Sequence, residues 1–177
     1  MAVLQVLKAE HPVLRQKAKR IGRIDASTQK IIDDMVETMY AVNGLGLAAP
    51  QVGVPLRLAV IQVPAEYEEP HAGELLVLIN PEIVKAEDAQ ETDEACLSLP
   101  GYSGNIVRSQ RVTFKALDRH GKSYKIKAEG MLAQAVQHEL DHLNGVLYYD
   151  HLESPALLRK VTPPRASESD STPVEPD

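Results

Sequence analysis

Near the end of this chain stands GMLAQAVQHELDHLNG, residues 130–145. Its two histidines, His138 and His142, are four residues apart, with Glu139 beside the first. On an α-helix, residues at that spacing share one face, with Cβ atoms about 5–6 Å apart. Two imidazoles so placed can close on one small cation, and Glu139 can reach a water on that cation as a general base. Ala135 and Met131 lie on the same side of the helix, so the ligand face is otherwise apolar and expected to be buried. Buried imidazoles need partners, and a shared ion supplies one. Asn144 and Gly145 are good C-cap residues. The ordinary alternative is a surface helix carrying two solvated histidines. If the metal reading holds, the rest of the chain must wrap this helix and deliver a third ligand to it.

In many proteins with this motif the third ligand lies downstream. Here the downstream stretch is short, and His151 and Glu153 are weak candidates. Upstream lies the one cysteine of the chain, Cys96, in DEACLSLPG (93–101), a turn-rich stretch with acidic neighbours. A lone cysteine cannot form an intramolecular disulfide. A thiolate beside carboxylates is disfavoured, but metal coordination removes that objection by deprotonating the thiol. One Cys and two His would leave a fourth tetrahedral position for water, as in catalytic sites. A buried structural thiol is the equally weighted alternative.

The remaining elements point to an α+β fold. Pro12 can open a short helix, PVLRQKAKR. Ser27 or Thr28 can cap a longer one, in which Ile31, Ile32, Met35, Val36, Met39 and Tyr40 recur at helical spacing. LRLAVIQV (56–63) and LLVLIN (75–80) read as buried strands separated by an exposed loop, PAEYEEPHAGE. RVTFKALD and SYKIKAE read as a hairpin across RHGK. Helices, then strands, then a late helix imply mostly antiparallel β-sheets packed around the metal-binding helix, with helices at the N-terminus. The chain of 177 residues reads as one domain, 1–161, and an acidic Pro/Ser-rich tail, 162–177, expected to be disordered. A net charge of −6 argues against DNA or RNA binding, and no apolar run suits a signal peptide or membrane span, so a cytoplasmic location is expected. GLGLAAPQ (44–51) formally contains a dinucleotide-type glycine pattern. It lacks the strand-then-helix context, so its glycines are read as letting a backbone approach something closely.

Three segments, GLGLAAPQ, EACLS and QHELDHLNG, together resemble the peptide deformylase family in order and spacing. VLKAEHPVLRQKA and RVTFKALDRHGK also look like that family, and the resemblance spans roughly residues 3–155. It implies an enzyme that removes the N-formyl group from formylmethionine of new polypeptides and releases formate. It implies one ion per chain on Cys96, His138 and His142, usually Fe2+, with Zn2+, Ni2+ or Co2+ able to substitute. Glu139 would be the base and then the acid. Gln51 and the Leu97 N–H would meet the oxygen of the tetrahedral intermediate. Gly44, Leu45 and Gly46 would line the groove where the peptide adds as a strand, with Ala95, Met131 and Ala135 completing the substrate site. Glu94 would pair with Arg108. N-formylated nascent peptides near the ribosome would be the partners, and the protein would act as a monomer. The chain departs from the family at Ala95, where glycine is common; a strained backbone there would disturb Cys96 or substrate pairing. A small zinc endopeptidase, a structural-metal module with His151 as fourth ligand, and a deformylase relative without activity are the competing readings.

Overall fold

The computed structural model describes residues 2–161. Asp25 opens the first helix, α1 (Ala26–Ala41), two or three residues before the positions expected to cap it. Its carboxylate accepts from the N–H groups of Ser27 and Thr28 at 3.0 and 3.2 Å, and the Thr28 hydroxyl accepts from the Asp25 N–H at 3.5 Å. This is a capping box. Thr28 is therefore its returning partner, and neither Ser27 nor Thr28 is the cap. Ile32, Met35 and Met39 are fully buried, whereas Tyr40 of the same apolar pattern is exposed. The helix expected from Pro12 is a four-residue 3-10 turn, Pro12–Arg15. Beyond it the chain is drawn out by remote partners: the Ala18 N–H donates to Leu143 O at 2.9 Å, and Lys19 bridges to Leu56.

The strands are β1 (Gly46–Ala48), β2 (Leu58–Ile61), β3 (Leu76–Cys96), β4 (Leu99–Leu117), β5 (Ser123–Glu129) and β6 (Arg159–Lys160). They form one antiparallel sheet in the order β1-β2-β3-β4-β5, with β6 paired to the start of β4. The expected strands at 56–63 and 75–80 are present as β2 and the start of β3, and the expected hairpin is β4–β5. The long β3–β4 hairpin is an addition. Its outer half, KAEDAQETDE, is dominated by residues depleted in strands, and pairing with β4 overrides that preference. Register shifts at Ile79/Glu82, Ile83/Lys85 and Ala95/Cys96 mark where the ribbon is irregular. The stretch around Cys96, expected to be turn-rich, is the end of this strand and the tight turn at Leu97 and Ser98 that joins it to β4.

The metal-motif helix, α2 (Gly130–Leu143), lies against this sheet. Strand β2 shows how the sheet divides the core. Ala59 and Ile61 face the cluster containing Leu132, Ala133, Val136, Leu140 and Leu143 of α2. Leu58 and Val60 face the cluster containing Ile32, Met35 and Met39 of α1. The strand is thus buried on both faces, which explains its unbroken apolar run. The architecture is the expected α+β fold. Among the described residues no helix is long and apolar enough to cross a membrane. The tail from Thr162 lies outside the described residues.

After α2 the chain turns back onto the N-terminal segment. Asp150 accepts from the Leu147 N–H at 2.9 Å and pairs with Arg15 at 2.5 Å. Burial pushes the Asp150 pKa upward, but Arg15 and the Leu147 N–H outweigh it and leave it below the usual aspartate value. A depressed carboxylate contributes stability above its unfolded pKa of about 3.9 and loses it as pH falls through the folded pKa. Asp150→Asn is expected to lower Tm by about 2–4 °C at neutral pH, the shift for roughly 1 kcal/mol in a chain of this size. Thermal melts against pH should show that gap closing as the pH drops below about 4.

Candidate metal centre and substrate groove

The last residue of β3 meets two turns of α2. Cys96 Sγ lies 3.3 Å from His142 Nε2, and His142 Nε2 lies 3.1 Å from His138 Nε2. The three ligand atoms all fall within 4.8 Å of one another. Ligands bound tetrahedrally to one ion at about 2.0–2.3 Å are separated by about 3.3–3.6 Å, so these spacings suit a shared divalent cation. The donor set fits as well: a thiolate and two imidazole nitrogens, once deprotonated, each offer a lone pair to a cation placed between them. Cys96 and His142 are buried, and His138 is nearly so. His151, the fourth ligand that a structural-metal module would need, bonds elsewhere: its Nε2 lies 2.8 Å from Asp141 Oδ2. Glu153 is not in the cluster either.

The other nitrogen of His138 is held from behind. Its Nδ1 lies 2.5 Å from Glu94 Oε1. Arg108 grips the same carboxylate twice, Nη2 to Oε1 at 2.6 Å and Nε to Oε2 at 3.0 Å, and also reaches Asp141 at 2.7 Å. The expected Glu94–Arg108 pair is therefore present, and its link to His138 was not foreseen. Burial favours a protonated Glu94, but His138 and Arg108 overcome it and bring the pKa to about 2. His138 feels the converse: burial works against its charge, while Cys96 and Glu94 raise its pKa well above the usual value. For His142, burial and the neighbouring His138 both act downward. A carboxylate fixed on the outer nitrogen orients a ligating imidazole and increases its basicity. Tyr148, also unforeseen, is buried in one cluster with Cys96, and its ring stacks on His138 with centroids 6.4 Å apart.

Glu139 is 3% exposed, and burial raises its pKa to about 7. Its Oε2 makes no hydrogen bond to protein. Gly46 stands directly over it: a Cβ on Gly46 would lie 2.5 Å from Glu139 Oε1. The close approach expected of the glycine loop is thus an approach to this carboxylate. Gln51 closes the other side. Its Oε1 accepts from the Ala48 N–H at 2.9 Å, which turns Nε2 toward Cys96 Sγ at 3.7 Å and Ser98 Oγ at 3.2 Å. Ser98, unforeseen by sequence, is buried and donates its N–H to Cys96 Sγ at 3.4 Å.

These groups open onto a groove of about 480 Å³. One wall is the glycine segment, Gly44, Leu45 and Gly46. The opposite walls are Met131, Ala135, His138 and Glu139 of α2 and the stretch Glu94 to Leu97. The groove also takes in Pro100, Tyr102 and Gln134, which carried no motif in the sequence. Ala95 sits within β3 opposite Ser103 and is not among the residues with positive φ, so the feared strain is absent. Strand β1, paired on one side to β2, is an edge strand facing this groove.

Arg108 and Glu94 are 6% and 4% exposed at their side chains, so removing one strands the other. Arg108→Ala is expected to destabilise the fold by about 3–5 kcal/mol in denaturant titrations, the cost of an uncompensated buried charge. Metal retained through dialysis against a chelator should correspond to an affinity lower by about 10–100-fold.

Known proteins are similar to this chain in sequence and in fold. Residues 3–157 match the family model described as polypeptide deformylase. A peptide deformylase of Dehalococcoides mccartyi (strain CBDB1) is 52% identical over 163 residues, covering 92% of this chain and 94% of that one. The crystal structure of peptide deformylase from Ehrlichia chaffeensis in complex with actinonin superposes with a TM-score of 0.83 at 42% identity, covering 87% of this chain and 91% of that one. The Met-Ala-Ser-bound class I type b peptide deformylase from Acinetobacter baumannii gives a TM-score of 0.79 at 31% identity, covering 85% and 99%. With a family match along nearly the whole folded chain and a cysteine–dihistidine cluster facing a peptide-sized groove, the chain belongs to the polypeptide deformylase family.

Proposed function

We propose that this chain hydrolyses the formamide of N-formylmethionyl peptides, releasing formate and a free α-amino group, and that Glu139 carries the protons. The observation that carries the reading is the buried Glu139 carboxylate, raised to about 7, beside a cysteine–dihistidine cluster and beneath Gly46 in a groove. Cys96, His138 and His142 would hold a divalent cation that, when bound, supplies Lewis acidity to a water and to the formyl oxygen. Ferrous iron is the ion we assign in the cell, with zinc, nickel or cobalt as substitutes.

Glu139 takes a proton from the attacking water and later delivers it to the departing amine. Its raised pKa suits both duties near neutrality. Gln51 Nε2 and the Leu97 N–H meet the negative charge that grows on the formyl oxygen. Gln51 can do so because Ala48 fixes its amide orientation. Each such donor contributes about 2.7–4 kcal/mol in a water-excluded site. Gly46 of the edge strand β1, with Gly44 and Leu45 just before it, lines the edge on which the peptide adds as a further strand. Met131, Ala135 and Ala95 receive the methionine side chain, whose burial contributes about 1.5–3 kcal/mol. Glu94 and Arg108 act through His138. A Gly46 side chain would displace Glu139, which explains why the glycine loop belongs to the catalytic design.

We assign the enzyme to the cytoplasm near the ribosome, where such a substrate arises, and we further propose that it acts as a monomer through a catalytic domain of residues 1–161. A zinc endopeptidase would need its third ligand downstream of the helix, and the described residues there join no such cluster.

Formate release from formyl-Met-Ala-Ser tests the assignment. Glu139→Ala is expected to lower kcat by at least about 10²-fold with metal content unchanged, and Gln51→Ala by about 10²–10³-fold. Turnover that survives Glu139→Ala would reject the assigned base.

A further inference from the structure

The start of α2 has no cap of its own. Glu129, the residue before the helix, makes no side-chain hydrogen bond to it. A helix leaves its first N–H groups without intrahelical partners, and they favour negative charge. Here they are met from the loop between β2 and β3. Glu69 Oε2 accepts from the Met131 N–H at 3.0 Å, and Oε1 accepts from the Leu132 N–H at 2.7 Å.

The joint requires the residue beside it. Gly130 has φ +54°, and a Cβ there would lie 2.4 Å from Glu69 Oε2. Glycine is therefore needed both for the backbone conformation and for the approach of the carboxylate. The same loop is tied to the opposite groove wall. The Gln62 N–H donates to Leu45 O at 2.9 Å, and Gln62 Nε2 donates to Gly73 O at 2.7 Å. Ala72 of the loop packs against the core cluster that Met131 also joins. Leu45 and Met131 both line the groove. One loop thus connects to the glycine segment at its base and to the first turn of α2 at its tip.

We propose that Glu69 is a positioning residue for the pocket that receives the substrate's first side chain. By pinning the first turn of α2 it holds Met131 where a methionine side chain packs. Glu69 acts through Met131 and touches neither the reacting atoms nor the metal ligands. The proposal rests on the deformylase reading for its substrate. A plain helix cap would cost stability alone. A pin on Met131 costs recognition of methionine and spares peptides that lack that side chain.

The test uses the metal-loaded full chain with Glu69→Ala, Glu69→Gln and Met131→Ala. Kinetics on formyl-Met-Ala-Ser and formyl-Ala-Ala-Ser are paired with calorimetric binding of the product peptides Met-Ala-Ser and Ala-Ala-Ser. Glu69→Ala is expected to raise KM for the methionyl substrate by about 5–20-fold with kcat within about twofold, the pattern of lost ground-state binding. Affinity for Met-Ala-Ser should weaken to the same degree, while both alanyl peptides stay within about twofold of wild type. Glu69→Gln keeps the shape and loses the charge, so it should fall between. In the Met131→Ala background, Glu69→Ala should have no further effect, because coupled residues are not additive. Equal losses on methionyl and alanyl peptides, or a lower Tm with an unchanged methionine preference, would overturn the proposal. Failure of the wild type to release formate would reject the deformylase reading, while the product-binding ratios would still decide the role of Glu69.

Discussion

The structure depends on holding a thiol against two imidazoles that come from a different part of the chain. Cys96 ends a 21-residue strand, and His138 and His142 belong to a helix that follows a second long strand, β4, and the shorter β5. Neither element can place its ligands alone. The ribbon β3–β4 must run far enough to bring Cys96 to the helix, and the helix must keep one face buried on the sheet while its ligands face Cys96. The Glu94 carboxylate joins the two, since it is gripped by Arg108 of β4 and bonded to His138 of α2. A buried charge at this junction is tolerated only because every partner is present.

The helix is secured at both ends by residues distant in sequence and opposite in charge. Glu69 meets the N–H groups at its start, and Arg57 donates to Leu143 O and Asn144 Oδ1 at its end, at 3.2 and 2.9 Å. That polarity complements the helix dipole at each end. The sheet beneath it, buried on both faces at β2, sets its height, while the two charged clamps set its position along its axis. Glu139 and the three candidate metal ligands therefore stand on a helix and a strand that are both anchored to the sheet.

Much of this was legible in the sequence, for identifiable reasons. Residues at 3.6-residue spacing marked α1 and α2, and the unbroken apolar run of β2 marked a strand buried on both sides. His138, Glu139 and His142 were legible because their chemistry depends on a local spacing. Cys96 was a ligand candidate evenly balanced against a buried structural thiol, and the resemblance tipped it toward the ligand. The long hairpin was hidden because its outer half is charged and poor in strand formers, so only pairing with β4 makes it a strand. Asp25 was passed over as a cap because the apolar pattern begins later than the helix does. Ser98, Tyr148 and Glu69 carry no motif: each matters through a contact with a residue remote in sequence or folded back upon it, and spacing cannot report such contacts.

The direct test of this account is X-ray absorption on the metal-loaded protein, reading the scatterers around the ion in wild type and in Cys96→Ser. The account predicts one sulfur at about 2.3 Å with two imidazole nitrogens at about 2.0–2.1 Å in the wild type. It further predicts loss of the sulfur signal, together with most of the bound metal, in the variant. An ion with no sulfur neighbour, or a Cys96→Ser protein that binds metal as tightly as the wild type, would contradict it.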